Sequence, residues 1–67
     1  MNNLELKNNV KEFRLKAKLS QQELAEKVGT TRQTIIAIEK GVFSPTAKLA
    51  LLLTYALGCT FEELFYF

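Results

Sequence analysis

The stretch QQELAEKVGTTRQTIIAIEKG, residues 21–41, sets two short helical patterns on either side of one glycine. Ser20 stands before it as an N-cap, and Glu23 completes a capping box, in which hydroxyl and carboxylate each satisfy an orphaned backbone N–H. Leu24, Ala25 and Val28 form one apolar side, and Gly29 suits the left-handed position that closes a helix. Thr31 caps the second helix, whose inner face is Ile35 and Ile38 and whose end is Gly41. Its first turn, Arg32-Gln33-Thr34, is polar where a buried helix would be apolar.

Outward from this pair, further helix signals follow in quick succession. Upstream, Val10, Phe13 and Ala17 recur at i, i+3 and i+7, an amphipathic stripe with Lys11, Glu12, Lys16 and Lys18 facing away. Downstream, Thr46 caps a fourth helix that runs to Leu57 and stops at Gly58. Its run Leu49-Ala50-Leu51-Leu52-Leu53 is apolar most of the way round, which marks a central helix or one shared with a partner. Thr60 and Glu63 form a second capping box, opening a short fifth helix through Leu64. Five helices joined by short loops predict an all-α bundle within a single domain, residues 1–67. Near the termini, LELK alternates apolar and polar residues and LFYF is rich in β-favouring aromatics. These two segments are either frayed helix or the two strands of a small antiparallel ribbon.

Composition narrows the function. The chain has 67 residues, 48% hydrophobic and 24% charged, which suits one compact folded unit. One cysteine, Cys59, cannot make an internal disulfide, and no histidine joins it in a metal site, so Cys59 reads as a small buried filler in a protein of the reducing cytoplasm. No apolar run is long enough to span a membrane, and MNNLELKNN lacks the apolar core of a signal peptide. With no His, no Asp and no Gly-rich phosphate loop, no catalytic set is present and an enzyme is not expected. Nor is any cofactor, metal or small-molecule ligand. Net charge is +2, but residues 1–41 carry eight Lys/Arg against five Glu, whereas residues 42–67 carry Lys48 against Glu62 and Glu63.

Two short helices joined by a tight glycine turn describe a helix-turn-helix, here about residues 20–41. Ala25 lets the second helix cross the first, Gly29 turns the chain, and Leu24, Val28, Ile35 and Ile38 seal the angle between them. With that inner face accounted for, Arg32, Gln33 and Thr34 project from the N-terminal turn, the part of a recognition helix that meets base edges in the major groove. Arginine bonds guanine O6 and N7 together, and glutamine does likewise to adenine N6 and N7. Thr34 suits a phosphate or a thymine methyl.

Through LSQQELAEKVG, TRQTIIAIEKG, SPT and ALGCTFEELF the chain resembles the Cro/CI-type, or Xre, helix-turn-helix transcriptional regulators, from about Asn8 to Phe65. The resemblance implies a five-helix, lambda-repressor-like DNA-binding domain, and small members of the family add a short antiparallel sheet. It implies that Arg32, Gln33, Ile36 and Ala37 face the groove. Gln21, Thr31, Thr34, Lys40 and Ser44 are expected at the DNA backbone, Gln21 bracing the recognition helix as well. Arg14 and Glu39 match a pair that ties helices 1 and 3 by a salt bridge. Three positions depart from the family pattern. Thr30 stands where Val or Ile is usual. Val42 and Phe43 replace basic residues, which predicts weaker phosphate binding there. Ile36 replaces a small polar residue, and is either a thymine-methyl contact or an exposed aliphatic.

The expected function is a sequence-specific regulator, a repressor binding duplex DNA as a homodimer at a palindromic operator. Leu53, Leu57, Phe61, Leu64, Phe65 and Phe67 are the expected dimer seam. The rival is an antitoxin-like module whose main partner is another protein.

Overall fold

A computed structural model describes residues 4–67. Within it the order is β1 (Lys7–Asn8), α1 (Val10–Lys16), α2 (Gln21–Val28), α3 (Arg32–Glu39), α4 (Ala47–Leu57), α5 (Phe61–Leu64) and β2 (Phe65–Tyr66). The five expected helices are present, and so is the ribbon: β1 and β2 pair antiparallel, with Lys7 opposite Tyr66 and Asn8 opposite Phe65. It lies further along the chain than LELK, of which only Lys7 belongs to a strand. The shift comes from Asn8 and Asn9, whose polar groups complete the pairing. Asn9 donates its backbone N–H to the Leu64 carbonyl (2.9 Å) and its amide to the Glu63 carbonyl (3.0 Å).

The starts of α2 to α5 follow from side-chain caps. Ser20 Oγ accepts from the Glu23 N–H at 3.0 Å, while Glu23 Oε1 accepts from the Ser20 N–H at 2.8 Å. Thr60 and Glu63 repeat the exchange at α5. Thr31 and Thr46 cap α3 and α4 through single hydroxyl contacts. Gly29 and Gly58 close α2 and α4 at φ 73° and 67°, where a side chain would be strained.

Helix α1 departs from expectation. It ends at Lys16, and Ala17 is an exposed C-cap instead of the third member of a buried stripe. The buried position one turn after Val10 is taken by Arg14, only 7% exposed. The chain then leaves the helix through Lys18 at φ 59°, the only non-glycine residue with positive φ among the described residues.

Val10, Leu24, Ala25, Val28, Ile35, Ile38, Ala50, Leu53, Leu57, Leu64 and Phe65 form one core. Four of the residues expected at a dimer seam, Leu53, Leu57, Leu64 and Phe65, are therefore spent inside the protomer, at most 9% exposed. A helix as apolar as α4 does not disclose which side faces inward; packing against α2 and α5 turns Ala50, Leu53 and Leu57 in and leaves Leu51 and Tyr55 out. Of the expected seam, Phe61 and Phe67 remain exposed. Cys59 is half-buried beside the core, and desolvation, with Glu63 nearby, raises its thiol pKa.

Candidate nucleic-acid interface

The interface is built on α3, whose two faces are sharply divided. Ile35 and Ile38 are fully buried against α2 and the core, and that registration leaves Arg32 and Gln33 exposed on the opening turn. The turn that makes this possible is anchored by the Thr30 N–H, which donates to the Ala25 carbonyl at 2.9 Å. Thr30 is half-buried there. Thr31 Oγ1 caps the Thr34 N–H at 3.2 Å and also pairs with Thr34 Oγ1 at 3.0 Å, so the two hydroxyls stand together at the helix start. Thr31 is exposed, whereas Thr34, Ile36 and Ala37 are half-buried along the outward side. Lys40 and Ser44 are exposed just past the helix.

Behind this surface lies a charged brace. Arg14 Nε reaches Glu39 Oε2 at 2.7 Å and its Nη2 reaches Glu39 Oε1 at 3.3 Å. The two side chains are 9% and 6% exposed. Arg14 Nη1 also donates to the Leu19 carbonyl (2.9 Å), and Gln21 Nε2 donates to Glu39 Oε1 (3.1 Å). One carboxylate at the end of α3 thus ties α1 and the start of α2, while Arg14 also holds the α1–α2 loop. Arg14 and Gln21 meet on the same Glu39 side chain of α3. A charged group this well enclosed needs such a set of partners, because an unpaired one would bear the full desolvation cost.

Asn8 was not anticipated. Its Nδ2 donates to the Ile38 carbonyl at 2.8 Å and its Oδ1 accepts from the Val10 N–H at 3.0 Å, linking the ribbon, the start of α1 and the end of α3. A contact thirty residues away left no local signal in the sequence.

A second unanticipated feature borders the reading surface. Gly41, at φ 78°, folds the chain back, and the Val42 N–H donates to the Ala37 carbonyl at 3.1 Å. Val42 and Phe43 therefore stand beside the exposed side of α3 and wall a cleft of about 250 Å³ with Thr31, Gln33, Thr34 and Ala37. No group of His, Cys, Asp or Glu among the described residues is gathered so as to hold a metal ion. No helix among them is long and apolar enough to cross a membrane.

Two short helices crossing at a glycine turn, with the second offering a polar first turn to solvent, define a helix-turn-helix domain. The chain belongs to the helix-turn-helix family, whose pattern matches residues 10–64. It carries the DNA-binding domain of transcription regulators and is not an enzyme. It is 45% identical over 60 residues to an HTH-type transcriptional regulator of Methanocaldococcus jannaschii, covering 90% of this chain and 91% of that one. It is also 46% identical over 61 residues to the HTH-type transcriptional regulator YgzD of Bacillus subtilis, covering 91% and 92%. In fold it is similar to the crystal structure of the clp gene regulator ClgR from Corynebacterium glutamicum, with a TM-score of 0.76 at 22% identity. That likeness covers 81% of this chain but 57% of ClgR, and it concerns architecture alone.

Proposed function

We propose that the chain is a dimeric, sequence-specific repressor of the cytoplasm, which reads a palindromic operator through the major groove. The observation that carries this reading is the exposure of Arg32 and Gln33 on the first turn of a helix whose inner residues, Ile35 and Ile38, are wholly buried. Bidentate contacts from these two side chains supply selectivity, each worth about 1–3 kcal/mol of discrimination. Ile36 and Ala37 lie against base edges further along α3. Gln21, Thr31, Thr34, Lys40 and Ser44 hold the phosphates, and affinity falls steeply with salt as counterions are released. Because Thr31 and Thr34 already share a hydroxyl pair, they present one joint group to a phosphate.

Two copies are needed because a single recognition helix buries too little to discriminate among genomic sites. With half-sites about 34 Å apart, one DNA turn, two copies fit one side of the duplex. Apolar surface left exposed on each protomer, Leu51, Tyr55, Phe61 and Phe67, supplies the seam. Repression then follows from occupancy.

In vitro selection of binding duplexes tests the reading. The expected product is a palindrome, and Arg32→Ala relaxes it at a G·C pair in each arm, Gln33→Ala at an A·T pair. If both substitutions leave the selected sequence and its affinity unchanged, the recognition surface is elsewhere. Light scattering that finds only monomers at micromolar concentration, with and without DNA, would remove the twofold mechanism.

A further inference from the structure

We infer that Val42 and Phe43 form an apolar reading edge that selects a thymine methyl group beside the contacts made by Gln33, an assignment that rests on the DNA-binding reading above. The loop from Gly41 to Pro45 carries no cation, so it has no charge with which to neutralise phosphate. Yet it does not trail away from the interface. The hydrogen bonds from Gly41 to Ile38 (2.9 Å) and from Val42 to Ala37 (3.1 Å) pin it against the last turn of α3. Val42 is left 76% exposed and Phe43 48% exposed, both bordering the cleft that Thr31, Gln33, Thr34 and Ala37 share.

That cleft is continuous with the reading surface, since four of its six lining residues belong to the cap and outward side of α3. A duplex seated on Arg32 and Gln33 must cover it. The chemical group that matches it follows from the groove itself. Among the base edges displayed there, all offer hydrogen-bond donors or acceptors, and only thymine adds an apolar group, its C5-methyl. An aromatic ring and a branched aliphatic, with the Ala37 methyl opposite, form surroundings that favour this methyl over the bare edge of cytosine. Lacking a cation, the loop contributes discrimination at one more base pair in place of sequence-independent attraction.

The experiment uses the duplex selected by the wild-type chain, with each thymine replaced in turn by deoxyuridine. This removes the methyl and leaves the base-pairing edge intact. At one thymine in each arm the wild type is expected to lose about threefold to tenfold in affinity, the scale of one buried methyl group. Phe43→Ala should abolish most of that sensitivity, Phe43→Leu should retain it, and neither should change the salt slope, because no phosphate contact is removed. Should Phe43→Ala melt early, the more exposed Val42→Ser provides the same comparison. Uniform tolerance of deoxyuridine overturns the inference. So does full methyl sensitivity in both Phe43→Ala and Val42→Ser, or a uniform loss of affinity on every sequence. A selected palindrome that depends on Arg32 but ignores the methyls would defeat this assignment alone; selection of no duplex at all would defeat the DNA-binding reading first.

Discussion

Glu39, at the last turn of the recognition helix, is held by Arg14 of the first helix through two guanidinium nitrogens, at 2.7 and 3.3 Å, in a nearly solvent-free site. The third helix is therefore positioned by a buried charge pair. Removing one member strands the other. Glu39→Ala should cost about 3–5 kcal/mol, enough to unfold much of so small a domain at room temperature. The double replacement Arg14→Met with Glu39→Leu should recover most of that loss, since apolar residues of similar volume need no counter-charge. Urea titration of the three proteins checks this; a single substitution that costs less than 1 kcal/mol would show that solvent reaches the pair.

Lys18 provides a stabilising counterpart. It sits at φ 59° just past α1, where the Lys18 N–H bonds the Leu15 carbonyl and the Leu19 N–H bonds the Arg14 carbonyl. A residue with a Cβ in that conformation costs about 1–2 kcal/mol, and glycine there loses about 0.5–1 kcal/mol through its extra freedom when unfolded. Lys18→Gly should thus gain about 0.5–1 kcal/mol. Thermal melting decides it, and a lowered Tm would contradict the assigned backbone.

The capping box of α2 gives a pH dependence. The Ser20 N–H and hydroxyl group hold the Glu23 carboxylate pKa below its usual 4.5, with a smaller contribution from Lys27. A carboxylate with a depressed folded-state pKa stabilises above its unfolded value, and that contribution is lost as pH falls through the folded value. The stability difference between the wild type and Glu23→Gln should be flat near neutrality and shrink below about pH 4.5. A difference that instead grows on acidification would reverse the sign of the linkage.

Core and seam separate by a paired substitution. Leu53 is fully buried, whereas Phe67 is 68% exposed. Leu53→Ala should lower stability by about 2–5 kcal/mol at any protein concentration. Phe67→Ser should leave the isolated protomer within about 0.5 kcal/mol of the wild type, as surface changes do, and weaken self-association. Concentration-dependent melting together with sedimentation distinguishes the two effects.

The helix boundaries were legible because capping is local. Ser20 with Glu23, Thr60 with Glu63, and the glycines at 29 and 58 act over three or four residues, and the structure places each where the sequence pattern does. The outward turn was legible for a related reason: Ile35 and Ile38 lie on the side of the helix away from Gln33, and Arg32 stands at its first, exposed position. Family resemblance added Arg14 with Glu39, which no local pattern would have paired.

Burial on an all-apolar helix was not legible. Leu51 and Leu53 are chemically identical and two positions apart, yet one is half-exposed and the other sealed, because only the approach of α1, α2 and α5 chooses a side of α4. The same holds for Phe65 and Phe67, divided by the pairing of β2 with β1. It holds too for Phe43, which lines a cleft with Gln33 and Ala37 because the loop after Gly41 folds back onto Ala37. Sequence alone determined what hydrogen bonds and periodicity settle within a turn or two: five helices, the N-caps of the last four and the polar start of the third. Tertiary structure decided which apolar side chains are core and which remain exposed, since that depends on contacts between residues far apart along the chain.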